Sequence, residues 1–276
     1  MSKIAFQGEL GAYSHQLCGQ ARPEYEPLAC ESFSAAAAAV RNGDAELVAL
    51  PVENSIYGRV ADIHQLLPKS GLHIIDEALI RIEICLLAGH DSSLETIRTA
   101  YSHTVLLGQC HDFLTDHAIR PVTWADTAGA ARFVSERGDP TMAALASRLA
   151  GQIYGLQTVK SGVEDKSFSR TRFFIMARDA DTSRRGANGM ITGFMFQVRN
   201  IPAALYKALG GFATNQVNMI KLESYMLHGS FKATRFFAEI EGHPDDDAVA
   251  LAMEELGFFT SELKILGVYP AAAERD

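Results

Sequence analysis

The chain has 276 residues, of which 47% are hydrophobic and 21% charged, as is ordinary for a soluble globular protein with one large domain or two modest ones. Its formal net charge of −8 and its lack of a basic stripe exclude a typical nucleic-acid binder, although a few local donors suffice to hold a small anion. No apolar run approaches the roughly 20 residues of a membrane span, so we expect no membrane partner.

The start of the chain runs into a strand pattern without a signal-peptide segment, and the four cysteines form no C-x-x-C pair. These features predict a cytoplasmic protein with reduced thiols. The nine histidines lack zinc-ligand spacing, so we expect no metal site.

Short apolar strands alternate with Ala-rich helical stretches over residues 1–178, which predicts βαβ units and a largely parallel sheet. The predicted strands are 3–8, 45–50 and 81–88, and the predicted helices are 34–40, 127–135 and 140–154. The polar, Gly-containing stretch 179–190 then predicts a linker.

The pattern after the linker predicts a second domain of βαββαβ order, a ferredoxin-like unit. Its strands are expected at 191–199, 217–226, 233–241 and 262–269, with a loop at 228–230 and helices at 202–213 and 245–256.

The segment from Leu50 to Val60 is the most informative in the chain. It follows the apolar run 45–50, so its polar residues are predicted to lie just past a buried strand, where open α/β sheets bind ligands. Asn54 and Ser55 are candidates to cap a following helix whose N–H groups suit an anion. Plain helix capping is the alternative.

Two further segments follow predicted strands in the same way. Gly8 and Gly11 precede a helix start at residues 12–16, and Ser102 is a candidate N-cap with Gln109 about two turns further on. Taken in isolation, turn chemistry is the favoured explanation of the first segment and helix capping that of the second.

The segment 167–177 packs hydroxyls and arginines against the start of an apolar strand. Thr171 and Arg172 point to opposite faces of a regular strand, so one of them is able to face a cleft. The alternative is an edge strand with solvated arginines.

Taken together, these segments resemble the prephenate dehydratase family. The shared motifs are Gly-x-x-Gly-Ala-Tyr-Ser (8–14), Pro-x-Glu-Asn-Ser-x-x-Gly-x-Val (51–60), Ser-His…Gln-Cys (102–110), Ala-Ser-x-x-Ala…Tyr-Gly-Leu (146–156) and Thr-Arg-Phe (171–173). They occur in the family's order, and the C-terminal unit resembles an ACT domain.

The resemblance implies an α/β catalytic region of two lobes, built like a periplasmic binding protein, with the site in the cleft between them. Residues 1–78 and 160–178 would form the first lobe, and residues 79–159 the second. A linker (179–190) and an ACT regulatory domain (191–270) would follow. No chorismate mutase segment is visible, so a monofunctional enzyme is expected.

The implied reaction converts prephenate to phenylpyruvate with loss of carbon dioxide and water, and needs no cofactor. Thr171 would bond to the leaving hydroxyl, and Glu53 would be a supporting acid or a cap for backbone N–H groups. Arg172 would supply positive charge or brace the strand. The residues expected to orient the substrate carboxylates are Asn54, Ser55, Ser102, Gln109 and Ser14.

The resemblance also implies that L-phenylalanine, as effector, binds at the interface of a homodimer or homotetramer. The expected contacts are Ala203, Ala204, Leu205, Leu222, Glu223 and Ser224. The family's Gly-Ala-Leu is Ala203-Ala204-Leu205 here, and its Glu-Ser-Arg-Pro is Glu223-Ser224-Tyr225-Met226. Inhibition by L-phenylalanine is therefore an open expectation.

Two other departures fall in the catalytic region: Thr104-Val105 replaces the Pro-Gln that usually follows Ser-His, and Ser169 replaces an Asn. An arogenate dehydratase is the closest alternative, because it uses the same motifs. A non-catalytic amino-acid sensor is the other, disfavoured because a sensor needs no proton-handling threonine.

Overall fold

A computed structural model describes residues 2–186, 188–226 and 233–275, and the helices and strands have the following bounds. The strands are β1 (Lys3–Gln7), β2 (Glu26–Cys30), β3 (Leu47–Asn54), β4 (Gly58–Arg59), β5 (His73–Arg81), β6 (Cys85–Ala88), β7 (Thr99–Ser102), β8 (Arg120–Thr123), β9 (Met142–Ala146), β10 (Gln157–Ser161), β11 (Arg170–Ala177), β12 (Met190–Val198), β13 (Met219–Met226), β14 (Ala233–Glu241) and β15 (Thr260–Pro270). The helices are α1 (Tyr13–Ala21), α2 (Phe33–Asn42), α3 (Ala61–Leu66), α4 (Thr104–Gln109), α5 (His111–Asp116), α6 (Thr127–Arg137), α7 (Arg148–Tyr154), α8 (Ala204–Thr214) and α9 (Asp247–Phe259).

The chain divides into two compact units. The first contains Met1–Ile63 and Ala78–Phe173, and the second contains His64–Glu77 and Phe174–Asp276. Among the described residues, no helix is both long and apolar enough to cross a bilayer.

The first unit holds two sheets. Its first sheet has the order β5-β11-β3-β1-β2, in which β1 pairs in parallel with β2 and β3. The middle of β1 (Ile4, Ala5 and Phe6) is fully buried, as expected for a strand covered by helices on both faces. Helix α2 is capped at its start by Ser32, whose hydroxyl accepts a hydrogen bond from the Ala35 N–H, and at its end by Gly43 in a left-handed conformation.

The second sheet of the first unit has the order β10-β6-β9-β7-β8. It is mixed, because β7 pairs in parallel with β8 and β9 whereas β6 pairs antiparallel with β9 and β10. The prediction of a largely parallel sheet therefore holds for the first sheet better than for the second.

The predicted helix over 140–154 is wrong in its first half. Met142–Ala146 is strand β9, and the helix begins only after Ser147, whose hydroxyl accepts from the Ala150 N–H. A buried apolar run of this length has no polar face, so periodicity does not distinguish strand from helix. The predicted strand 81–88 is likewise two strands, with a break between Arg81 and Cys85.

The second unit contains the predicted βαββαβ order, from β12 through α8, β13, β14 and α9 to β15. Its antiparallel sheet has the order β13-β14-β12-β15, the strand order of a ferredoxin-like fold. Stacked phenylalanines fill the core, with Phe194 against Phe212 and Phe196 against Phe236. The predicted loop at 228–230 lies outside the described residues.

Part of the predicted linker 179–190 is bound to the second unit, although Ala187 lies outside the described residues. The Arg184 guanidinium donates to the Ile75 carbonyl at 3.0 Å and lies 3.5 Å from the Asp76 carboxylate. Arg185 pairs with Asp245 at 3.1 Å. The stretch is polar because its side chains form these surface contacts.

Candidate active site

Strand β3 is longer than predicted, and this changes the role of its polar residues. It continues through Asn54, and β4 folds back on it so that Asn54 pairs with Gly58. The Asn54 Oδ1 atom accepts hydrogen bonds from the backbone N–H groups of Ile56 (2.9 Å) and Tyr57 (3.0 Å). Asn54 therefore closes a hairpin turn, and the prediction that Asn54 and Ser55 cap a helix is wrong.

The other end of the Asn54 amide donates to two hydroxyls. Its Nδ2 atom lies 3.1 Å from Thr171 Oγ1 and 3.1 Å from Ser169 Oγ. The two turn N–H groups require an acceptor at Oδ1, so they fix the orientation of the amide. Thr171 therefore accepts a hydrogen bond from Asn54 and keeps its own hydroxyl hydrogen for another acceptor.

The opposite face of the same two strands carries an ion pair. Arg172 Nη1 lies 2.8 Å from Glu53 Oε1, and the Arg172 side chain is only 6% exposed. The alternative of an edge strand with solvated arginines is therefore wrong for Arg172, although Arg170 is exposed. This short, charge-assisted contact suits a brace for Arg172 better than a proton donor.

Ser55 is bonded to the backbone that leads into β11. Its N–H donates to the Arg170 carbonyl at 2.9 Å, and its hydroxyl accepts from the Arg170 N–H at 3.0 Å. The same hydroxyl donates to the Phe168 carbonyl at 3.4 Å. Ser55 therefore holds the strand that carries Thr171 in register with β3.

The start of α1 is a turn with uncapped N–H groups. Gly8 and Gly11 have φ values of 118° and 92°, which favour glycine, and Ala12 at the N-cap position provides no side-chain cap. The helix thus begins with backbone donors beside Ser14, as the sequence predicts. A Cβ atom on Gly11 would lie 2.8 Å from the Ala150 Cα atom, so this turn touches α7 of the second sheet.

Ser102 is not a helix cap. It is the last residue of β7, fully buried, and its hydroxyl donates to the Leu145 carbonyl at 2.6 Å. The N-cap of α4 is His103, whose Nδ1 atom accepts from the Val105 N–H. Ser102 therefore joins β7 to β9 within the second sheet.

Gln109 ends α4 and is 8% exposed. Its Oε1 atom is buried and has no hydrogen-bond partner among the described residues. A buried amide with an unused acceptor is costly, which indicates a group that is completed by a ligand or a water.

Tyr57 and Tyr13 are two residues that the motif analysis leaves without a role. A Cβ atom on Gly108 would lie 3.8 Å from the Tyr57 hydroxyl, so the β3–β4 hairpin reaches helix α4. The Tyr13 hydroxyl donates to the Glu83 carbonyl at 3.0 Å, and burial raises the pKa of Tyr13 well above its usual range, so it stays a donor. Both tyrosines are motif-segment residues, which is the only sequence signal that marks them.

The described residues contain no group of three or more His, Cys, Asp or Glu side chains that could hold a metal ion. Burial raises the pKa of the thiol to about 12 in Cys18 and about 11 in Cys85, and also raises it in Cys30 and Cys110. With these raised pKa values the four cysteines remain protonated thiols at neutral pH, so none of them is an activated nucleophile.

The predicted effector residues of the second unit fall into two places. Ala203 precedes α8 with φ of 61°, while Ala204 and Leu205 pack against the core. On β13, Leu222 and Ser224 are exposed, whereas Glu223 is half-buried on the other face with Lys221 at 3.9 Å. Tyr225, which stands where the family has Arg, forms a 2.5 Å hydrogen bond with His64.

These features describe an α/β protein whose first unit gathers hydroxyl and amide groups into a candidate site and whose second unit contains a ferredoxin-like sheet. The family model described as prephenate dehydratase matches residues 4–181. The chain belongs to the prephenate dehydratase family of lyases.

Known relatives match nearly the full chain. A bifunctional N-acyl-homoserine lactone acylase/prephenate dehydratase of Komagataeibacter europaeus is 47% identical, over 99% of this chain and 97% of its own. The chloroplastic arogenate dehydratase/prephenate dehydratase 2 of Arabidopsis thaliana is 34% identical, over 97% of this chain and 72% of its own. The solved structure of prephenate dehydratase in complex with L-Phe from Arthrobacter aurescens has a TM-score of 0.90 and 26% identity, and the match covers 99% of this chain and 91% of that one.

Proposed function

We propose that this protein is a prephenate dehydratase that forms phenylpyruvate without a cofactor. The observation that carries the proposal is the hydrogen bond from Asn54 Nδ2 to Thr171 Oγ1, with Asn54 Oδ1 held by the hairpin turn. A hydroxyl that accepts one hydrogen bond becomes a stronger donor in the next, because hydrogen bonds in a chain polarise one another.

In this reaction the bond from the ring to its carboxylate breaks and its electron pair enters the ring as carbon dioxide leaves. The ring expels its hydroxyl group, which takes up one proton and departs as water, and aromaticity drives the step. Thr171 donates to the departing oxygen as negative charge develops there. A preorganised donor of this kind contributes about 10²–10³ in rate.

The substrate has two carboxylates, and the chain offers donors for both. The first N–H groups of α1 beside Ser14 suit one carboxylate, because the helix start is positive and has no side-chain cap. The Nε2 end of the Gln109 amide is the donor for the other carboxylate, since an ionised carboxylate only accepts hydrogen bonds. Asn54 orients Thr171, and Arg172 with Glu53 braces the strand from behind. Ser55 and Ser102 do not bind the substrate in this proposal. Ser55 holds the backbone of Arg170 at the start of β11, and Ser102 holds the backbone of Leu145 on β9.

We also assign residues 1–178 to the catalytic domain, 179–190 to the linker and 191–270 to an ACT regulatory domain. The ferredoxin-like strand order supports this assignment. The Arthrobacter aurescens structure is named as a complex with L-Phe, which supports L-phenylalanine as an effector of this chain as well. A homodimer or homotetramer would place Leu222 and Ser224 of the exposed strand β13 at an interface.

Arogenate is a second candidate substrate, because the Arabidopsis thaliana relative is named for both activities. The name of the Komagataeibacter europaeus relative also includes an acylase. A cysteine nucleophile for such a reaction is disfavoured here, because burial raises the pKa of the four thiols.

The test is to mix the purified protein with prephenate and follow phenylpyruvate by its absorbance in alkali, with and without L-phenylalanine. We expect Thr171→Ala to lower kcat by about 10²–10³ with little change in Tm. The matched control is Thr123→Ala on β8, an exposed threonine that should leave kcat unchanged. Turnover of arogenate alone would support an arogenate dehydratase, and turnover of neither by folded protein would support the sensor.

A further inference from the structure

Two short segments connect the two sheets of the first unit, and they are hydrogen-bonded to each other. Residues 82–84 lead from β5 to β6, and residues 162–169 lead from β10 to β11. The Ile82 N–H donates to the Ser169 carbonyl at 2.8 Å, and the Val163 N–H donates to the Ile84 carbonyl at 3.1 Å. The two crossings therefore form a narrow bridge between the sheets.

Glu164 is the buried charged side chain of this bridge. Its side chain is 2% exposed, and its Oε2 atom accepts from the Ile84 N–H at 2.9 Å. Its Oε1 atom lies 3.5 Å from Arg81 Nη2, on a side chain that is 57% exposed. A buried carboxylate is costly unless it is bonded, so the bond to Ile84 is what holds this group in place.

The segment that carries Glu164 is bonded to both halves of the candidate site. The Asp165 N–H donates to the carbonyl of Gln109 at 2.7 Å. At the other end of the segment, Ser169 accepts from the Asn54 amide that also donates to Thr171. The backbone of residues 165–169, with a hydrogen bond at each end, thus connects Gln109 to the Asn54 amide and Thr171.

We infer that Glu164 is a positioning residue of the reaction. By accepting a hydrogen bond from the Ile84 N–H, it holds the two crossings together and sets the distance between Gln109, at the end of α4, and Thr171, on β11 of the first sheet. The effect on rate is expected to be large, because a misplacement of about 1 Å costs up to about 10²-fold. The expected loss of rate rests on the proposed function. The clamp itself rests only on the hydrogen bond between the Ile84 N–H and Glu164.

The test compares three variants of the full chain. Glu164→Ala removes the acceptor of the Ile84 N–H, and we expect kcat/KM for prephenate to fall about 10–100-fold, mainly in kcat. Glu164→Gln keeps an oxygen acceptor of the same shape, so we expect activity within about threefold of wild type. Arg81→Ala removes only the exposed partner, and we expect no more than about a twofold change. Equal losses in Glu164→Gln and Glu164→Ala would overturn the inference.

Two further measurements separate positioning from lost stability. Val134→Ala, in the core beside the second sheet, should lower Tm through a cavity and leave kcat/KM unchanged. If Val134→Ala lowers kcat/KM as much as Glu164→Ala at a matched Tm loss, positioning is overturned. In the double variant, the losses of kcat/KM from Glu164→Ala and Gln109→Ala should combine less than multiplicatively, because both changes act on the Gln109 amide. Fully multiplicative losses would contradict the inference.

Hydrogen exchange gives a readout that does not depend on turnover. We expect the Ile84 and Asp165 amides to exchange faster in Glu164→Ala and to stay protected in Glu164→Gln. If the Ile84 and Asp165 amides stay as protected in Glu164→Ala as in wild type, the inference is rejected, even if the variant is active. A wild-type protein that turns over neither prephenate nor arogenate would reject the proposed function, while the exchange experiment would still decide whether the clamp exists.

Discussion

Asn54 donates a hydrogen bond to Thr171 from 117 residues away in the chain, across neighbouring strands of one sheet. Both side chains project from the same face, and their neighbours Glu53 and Arg172 pair on the other. A two-residue motif on each strand therefore builds a reactive face and a supporting face together.

Mutation separates the two roles of the Asn54 amide, in which Oδ1 accepts from the hairpin turn and Nδ2 donates to Thr171. Asn54→Asp keeps an acceptor for the hairpin N–H groups but loses the donor to Thr171 and offers that hydroxyl an acceptor instead. We expect kcat to fall about 10–100-fold with a small change in Tm, as measured by the phenylpyruvate assay and thermal unfolding. Asn54→Ala should lose kcat and stability together. A fully active Asn54→Asp variant would remove this hydrogen bond from the mechanism.

Glu53→Gln tests whether the ion pair is a brace. The change removes the negative charge that lies 2.8 Å from the nearly buried Arg172 guanidinium, and we expect a loss of about 1–3 kcal/mol in the free energy of unfolding. The pH–rate profile should keep its shape. A shifted profile with unchanged urea unfolding would instead make Glu53 an acid in the reaction.

Ala203 is strained at the start of α8. Its φ of 61° is left-handed, which costs an L-residue about 1–2 kcal/mol, and the family has Gly at this position. After the greater chain entropy of Gly in the unfolded state is subtracted, Ala203→Gly should stabilise the protein by about 0.5–1 kcal/mol. Ala213→Gly, at an exposed position within the same helix, should destabilise it by a similar amount. Denaturant unfolding of both variants measures the difference, and a loss of stability in Ala203→Gly would contradict the strain.

His15 makes the α1 turn sensitive to acid. Burial lowers the pKa of His15, whose Nδ1 atom accepts from the Gly11 N–H while its ring stacks on Phe6. The unfolded state then binds the proton more readily, so stability from this group is present above about pH 6.5 and is lost as pH falls below it.

The measurement compares Tm at pH 7.5 and pH 5.5 for wild type, His15→Gln and the exposed control His90→Gln. We expect the decrease on acidification to be smaller in His15→Gln than in the other two proteins. An identical decrease in all three would show that His15 protonation is not coupled to unfolding.

The sequence points to the residues of the candidate site, but it does not predict how they are held. Glu53, Asn54, Thr171 and Arg172 stand out because polar groups interrupt apolar strands. Their pairing could not be predicted, because it depends on β3 and β11 becoming neighbours across a long stretch of chain. The same reason explains why Ser102 is not the helix cap that the sequence predicts, since its partner is the Leu145 carbonyl of a distant strand. Glu164 gave no local signal, because its partner is a backbone N–H of another segment.

The close approach of Gly11 to Ala150 makes the main chain itself a spacer between the α1 turn and α7. Carbon atoms in ordinary contact lie about 3.5–4.0 Å apart, so a side chain at position 11 would have to push α7 away by about 1 Å. A larger residue at position 11 would increase the distance between the α1 turn and α7 without changing any hydrogen-bond donor of the candidate site. Position 11 is therefore a place where a single methyl group would change the distance between the α1 turn and α7.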